Sequence, residues 1–147
     1  MSFGISAPIY WLTEYEKDKN SELGQDLCII KNEHFFIKGN VEIPIKDSND
    51  FFAYTIWVSL SPENFQHAVK HWNDPKRDGS DPYFGWFSNR LIGYSDTINL
   101  KTHVHIRDIG IVPFIELEPT HHPLAIEQIE GITMARVKEI AELYLHH

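Results

Sequence analysis

The nine histidines of this sequence come first, because imidazole ligates metals and moves protons near neutral pH. Two stand one residue apart in "THVHIRD" (His103, His105), two stand four apart in "ENFQHAVKHW" (His67, His71), and two adjoin in "EPTHHP" (His121, His122). Four-residue spacing lets two imidazoles share a zinc ion, but the metalloprotease pattern needs a glutamate directly after the first histidine. Here that place is Ala68. The "HVH" pair is flanked on its own face by Lys101 and Arg107, and a closed zinc site wants four ligands. Only the distant His34, His121 and His122, or Glu116 and Glu118, remain to complete one. The expectation is no metal.

Nucleophilic chemistry has no local support: there is no G-x-S-x-G elbow and no glycine-rich phosphate loop. The single cysteine excludes an internal disulfide, and Cys28 in the apolar run "LCII" reads as a small buried core residue. What remains is a looser constellation of His105, Glu116 and Glu118, with "EPTHHP" leading to a helix start. Histidine with carboxylate suits general acid–base work, and a helix start attracts anions. The catalytic candidates are His105, His122 and Glu116; the ligand-binding candidates are Trp57, Tyr83, Trp86, His105 and Glu118. A structural alternative stands beside them. Thr120 or His122 would only cap the helix, and the glutamates would pair with Lys101 and Arg107.

Those residues need elements to place them. Residues 98–107 alternate, with Ile98, Leu100, Val104 and Ile106 on one face and His103 and His105 on the other. "VPFIELE" returns beside them, and the apolar parity puts Arg107 opposite Val112, His105 opposite Phe114, His103 opposite Glu116 and Lys101 opposite Glu118. In "FFAYTIWVSL" (51–60), Phe52, Tyr54, Ile56, Val58 and Leu60 must be core. The other face, Phe51, Ala53, Thr55, Trp57 and Ser59, suits a closely packed helix or the floor of a pocket; the helix is the preferred reading. "YFGWFS" is aromatic on both faces, and Trp86 is expected near Trp57.

"LCIIK", "EHFFIKG" and "VEIPI" read as strands, the last two joined by a glycine-bulge turn at Gly39-Asn40. That arrangement puts Phe35, Ile37, Val41, Ile43 and Ile45 on one side. Residues 6–26 are expected to be partly helical, with Thr13 as a cap. Ser61-Pro62-Glu63 opens a helix whose apolar stripe is Phe65, Ala68, Val69 and Trp72, leaving His67 and His71 on the surface. "NDPKRDGSDP" is a surface loop. Pro123 begins a helix that stops at Gly131, and Thr133 caps a last one through "MARVKEIAELYLHH". The fold class is α+β: one domain with a largely antiparallel sheet of about six strands and three or four helices.

The bulk numbers agree. At 147 residues, one domain is the simplest division. With 21 acidic against 13 basic side chains the net charge is -8, which argues against nucleic acid as a partner and favours a basic one. No signal-peptide-like start is present, and "FFAYTIWVSLSP" is too short for a membrane span. The sequence reads as cytoplasmic, with no membrane partner and no cofactor.

Several segments together resemble one bacterial family, domain of unknown function 2199: "EHFFIKGNVEIP", "WVSLSPENF", "DPYFGWFS", "GYSDTINLKTHVHIR" and "IELEPTHHPLAIEQIEGIT". The resemblance implies no activity. His105, His122, Glu116 and Glu118 match the family pattern, whereas His67, His71 and His103 do not. Members typically begin with a short C-x-x-C segment ahead of "SFG"; this sequence lacks it, so no metal role attached to it carries over. The leading functional expectation is a domain that binds a small molecule or a protein. The alternatives are an acid–base enzyme using His105 and His122 with Glu116 and Glu118, and an acidic immunity-type protein neutralising a basic toxin.

Overall fold

The computed structural model describes residues 1–146; His147, the last residue of the expected C-terminal helix, lies outside them. Eight strands form one sheet: β1 (Ser2–Gly4), β2 (Glu22–Leu23), β3 (Leu27–Ile30), β4 (His34–Pro44), β5 (Phe51–Leu60), β6 (Tyr83–Phe87), β7 (Lys101–His105) and β8 (Phe114–Leu117). Strands β4 to β8 pair antiparallel in sequence order, and β8 meets β4 in parallel at Asn40 opposite Phe114, which closes a five-stranded ring. The first part of β4 carries β3 on its other edge, with β2 beyond, and β1 lies parallel to the first half of β5. Within the ring every strand has a neighbour on both sides, and β1 and β2 are the two end strands of the sheet. Three helices complete the domain: α1 (Pro62–Lys70), α2 (Pro123–Glu130) and α3 (Met134–Leu145). The domain is α+β and largely antiparallel, as expected; "EHFFIKG" and "VEIPI" are one strand, and β1 and β2, of only 3 and 2 residues, are strands the alternation does not mark.

Ring interior and helices share one core. Ile37, Val41 and Ile43 from β4 face Phe52, Tyr54, Ile56 and Val58 from β5, with Phe87, Val104, Ile115 and Leu117 closing the circle. Phe65 and Ala68 of α1, Leu124 and Ala125 of α2, and Val137 and Ile140 of α3 add to it. Each such large side chain contributes about 1.5–3 kcal/mol on leaving water. The helix starts follow the expected chemistry. Ser61 accepts from Asn64 N and Thr133 from Arg136 N, while Gly131 ends α2 at φ 80°.

Four expectations need correction. First, there is no turn at Gly39-Asn40: β4 runs straight through, with Gly39 opposite Ile56 and Asn40 opposite Thr55. Odd positions then share a face without a bulge. Gly39 is small because β8 crosses it, where a Cβ would fall 2.6 Å from Ile115 Cγ1 and 3.0 Å from the Pro113 carbonyl oxygen. Second, residues 6–26 hold only a 3-10 segment at Thr13–Lys17, preceded by Leu12 with no side-chain cap bond. Third, no helix packs over Trp57. The N-terminal segment does so instead, with Trp11, Tyr15 and Leu23 covering Cys28, Ile30, Phe36 and Trp57 in a second, smaller core. Fourth, β7 begins at Lys101, since Asn99 adopts a left-handed φ of 66° and residues 97–100 form a turn.

The "NDPKRDGSDP" loop is not purely surface. Its Arg77 is 5% exposed and donates to the carbonyls of Trp72, Arg107, Asp108 and Ile111 at 2.7–3.3 Å. Among the described residues no helix is long and apolar enough to cross a membrane.

Candidate functional site: a cleft on the outer face of the ring

On the outer face of the sheet one row crosses four strands: Phe36 of β4, Ser59 of β5, Trp86 of β6 and Lys101 of β7. Ser59 is the small member between two aromatic neighbours. The N-terminal segment reaches over this row only as far as Phe36, on which Tyr10 stacks with ring centroids 6.0 Å apart. A cleft of about 480 Å³ is left between the segment and the sheet. Tyr10, Tyr15 and Phe36 supply aromatic wall and floor, and Glu33, His34 and Ser59 supply polar groups. Such a volume, largely aromatic with a few polar groups, suits a small ligand.

Local chemistry fixes both walls. Lys31 and Asn32, at φ 57° and 54°, make the tight β3–β4 hairpin turn that brings Glu33 and His34 to the cleft. Asn32 N donates to the Asn20 carbonyl and Lys31 N to Ser21 Oγ, tying that turn to the N-terminal segment. At the other end of the segment, buried Asn89 accepts from Trp57 N through Oδ1 and donates to the Ala7 carbonyl through Nδ2. Ile9 N adds a bond to the Ser88 carbonyl. Trp57 Nε1 also donates to the Ile5 carbonyl at 2.9 Å. The cleft wall is therefore anchored along its length.

Beyond Trp86 the outer face carries the histidine pair. The register is the one the alternation demands: His105 opposite Phe114 and His103 opposite Glu116. The side chains bond diagonally, His103 Nε2 to Glu118 Oε1 and His105 Nε2 to Glu116 Oε1, each at 3.1 Å. Arg107 pairs with Glu42 instead of with β8. All these side chains are partly solvent-exposed, a setting in which an ion pair contributes at most about 1 kcal/mol.

Of the catalytic candidates, His105 and Glu116 meet at 3.1 Å, but His122 does not join them. His105 lies at the Phe114 end of the β7–β8 ladder, whereas the chain leaves from the Leu117 end toward His122. His122 caps α2, its Nδ1 accepting from Leu124 N at 3.1 Å while Nε2 donates to the Ser95 carbonyl. Both ring nitrogens are engaged, so the capping alternative describes His122. His67 Nδ1 meets the Tyr83 hydroxyl at 2.6 Å, and His71 packs on His67 with ring centroids 4.5 Å apart. Among the described residues no group of three or more His, Cys, Asp or Glu side chains could hold a metal ion.

Of the ligand-binding candidates, Trp57 is buried under the N-terminal segment and Tyr83 inside the ring. Trp86, His105 and Glu118 lie on the outer face, and none of the three lines the cleft; Trp86 flanks it across Ser59. Sequence reasoning missed Tyr10, Tyr15, Glu33 and His34. The signal for Tyr10 and Tyr15 was the aromatic run at the start of the chain, which carries no alternation, and His34 counts there only as a distant metal ligand. It also missed a polar cluster beside α2 and α3, where Tyr94 donates to Glu127 and Glu127 pairs with Arg136. Burial pushes the Tyr54 and Tyr94 hydroxyls well above the usual phenol range, which keeps both protonated.

No curated protein and no solved structure matches this chain. The sequence pattern of a family described as uncharacterised proteins conserved in bacteria (DUF2199) matches residues 1–132, which takes in the whole ring, the N-terminal segment and α2. The chain belongs to that family.

Proposed function

We propose that this chain is a binding protein and that the cleft beneath the N-terminal segment is where it holds a small ligand. What supports the reading is one register row: Ser59, flanked by Phe36 and Trp86, leaves an aromatic-sided gap that the N-terminal segment spans without filling. The acid–base alternative loses its support because His105 and His122 face different surroundings and each is already hydrogen-bonded. A general base must reach the proton it removes; His105 and Glu116 meet on the exposed β7–β8 ladder, but His122 is held at the start of α2 and does not complete the set.

The test is a fragment screen read by two-dimensional amide NMR, repeated on Ser59→Leu. Hits that shift Tyr10, Tyr15 and Phe36, and that vanish in Ser59→Leu while its spectrum stays dispersed, are the expected result. Hits confined to residues 101–118 would move the site to the histidine face and sink the cleft.

A further inference from the structure

We infer that the ligand of this cleft is a small organic cation, an alkylated ammonium ion held by aromatic faces and the Glu33 carboxylate; this rests on the binding-protein reading. Three observations on the cleft converge. Its aromatic surface comes from Tyr10, Tyr15, Phe35 and Phe36, and the faces of such rings carry negative π density. Its only formally charged lining group is Glu33, and no lysine or arginine lines it. An anion would therefore meet a carboxylate in the lining, while a neutral ligand could use Glu33 only as a hydrogen-bond acceptor.

The third observation is already inside the chain. The Lys31 ammonium sits 5.7 Å from the centre of the Tyr15 ring, with Asp18 3.6 Å away as its counter-charge. A cation on an aromatic face with a carboxylate beside it is thus a combination this corner of the fold already uses, and Tyr10 with Glu33 offers the same two kinds of group on the cleft side. Lys31 pairs with Asp18, and among the described residues no ion pair to Glu33 is present. The chain's charge of -8 would also draw cations toward the surface.

Volume limits the class. About 480 Å³ admits a compact ion such as tetramethylammonium or choline, with room for a short tail running past Ser59 toward Trp86. A bulky methylated head is weakly hydrated compared with a bare ammonium, so aromatic walls replace its water shell at small cost.

The experiment titrates the whole chain with tetramethylammonium, with choline, and with dimethylbutanol, the neutral isostere of choline. Amide NMR and calorimetry are the readouts, on the unaltered chain and on Glu33→Gln. Glu33 lies on an exposed hairpin turn, and among the described residues its side chain makes no hydrogen bond or ion pair, so Glu33→Gln should remain folded. The expected result is that both cations shift Tyr10, Tyr15 and Phe36, that the isostere does not, and that Glu33→Gln weakens choline about five- to tenfold. An isostere that binds as well as choline, or a Glu33→Gln chain that binds choline unchanged, overturns the cation assignment while the cleft remains a binding site. Silence toward all three probes overturns it as well. The fragment screen then decides the wider reading: neutral or anionic hits in the cleft leave that reading standing, and none removes it.

Discussion

Trp57 and Trp86 lie on the same outer face of the ring on adjacent strands, yet one is 1% exposed and the other 41%. Ser59, opposite Trp86 and two residues beyond Trp57, makes them diagonal neighbours. The difference is the N-terminal segment, which ends its cover between them. Trp86→Phe should remove more acrylamide-quenchable fluorescence than any other single tryptophan change and leave stability within about 0.5 kcal/mol. Trp57→Ala should cost about 3–5 kcal/mol, because it empties the smaller core and frees the Ile5 carbonyl. Chemical denaturation distinguishes the two; equal losses would mean the segment does not cover Trp57 in solution.

The two histidine–glutamate diagonals should be energetically minor. His103→Ala and His105→Ala are each expected to lower stability by less than about 1 kcal/mol, and a His105/Glu116 double-mutant cycle should return a coupling of similar size. Elemental analysis of the purified chain should find no stoichiometric zinc. A coupling several times larger, or about one zinc per chain lost in His105→Ala, would make this face a site in its own right.

Arg77 should matter far more than any surface ion pair. Its guanidinium meets four backbone carbonyls from the 71–79 and 107–111 segments, and its plane lies over Trp72 with 4.6 Å from Cζ to the ring centre. Arg77→Ala leaves those carbonyls without their donor and is expected to cost about 3 kcal/mol. Arg77→Lys should recover little of it, since one ammonium cannot reach four acceptors in a fork. A neutral Arg77→Ala would show that water replaces the guanidinium freely.

Burial pushes the Cys28 thiol up to about 12, whereas in an unfolded chain it would ionise near about 8.5. The sign follows from linkage. The unfolded chain loses this proton first, so the stability tied to the neutral thiol is complete below about pH 8.5 and declines as pH rises toward 12. Between about pH 8.5 and 9.5, below the usual tyrosine range, Cys28→Ala should show a flatter fall of stability than the unaltered chain. Native Cys28 should also react with thiol reagents only at the rate of unfolding. Fast labelling at pH 8 would show the smaller core to be open.

The parts legible in the sequence are those where burial has a period. "FFAYTIWVSL" alternates because one face fills the ring, and the register of His105 with Phe114 followed from the single parity that keeps charges off the core. Caps at Ser61 and Thr133 were legible because their bonds are local. The cleft was not, since its wall is an irregular segment whose place depends on Asn89, far along the chain. Gly39 misled for a related reason. Glycine followed by asparagine favours turns, but the need here is steric, set by Ile115 from across the ring. His122 shows the same limit: capping by an imidazole Nδ1 uses the residue for structure, and nothing in "EPTHHP" separates that from an acid–base role.

Closure of the ring at Asn40 and Phe114 also has a consequence for synthesis on the ribosome. Asn40 N finds its acceptor only in the Pro113 carbonyl, at 2.8 Å. At about 5–20 residues per second, several seconds separate the emergence of the β4–β5 hairpin from that of β8. During that interval the hairpin, the longest and most apolar pairing in the chain, exposes a strand edge and one uncovered greasy face. A nascent chain paused before Pro113 is therefore the species that chaperones would hold and that neighbouring chains would stick to. Translation speed across residues 61–113 sets how long it lasts.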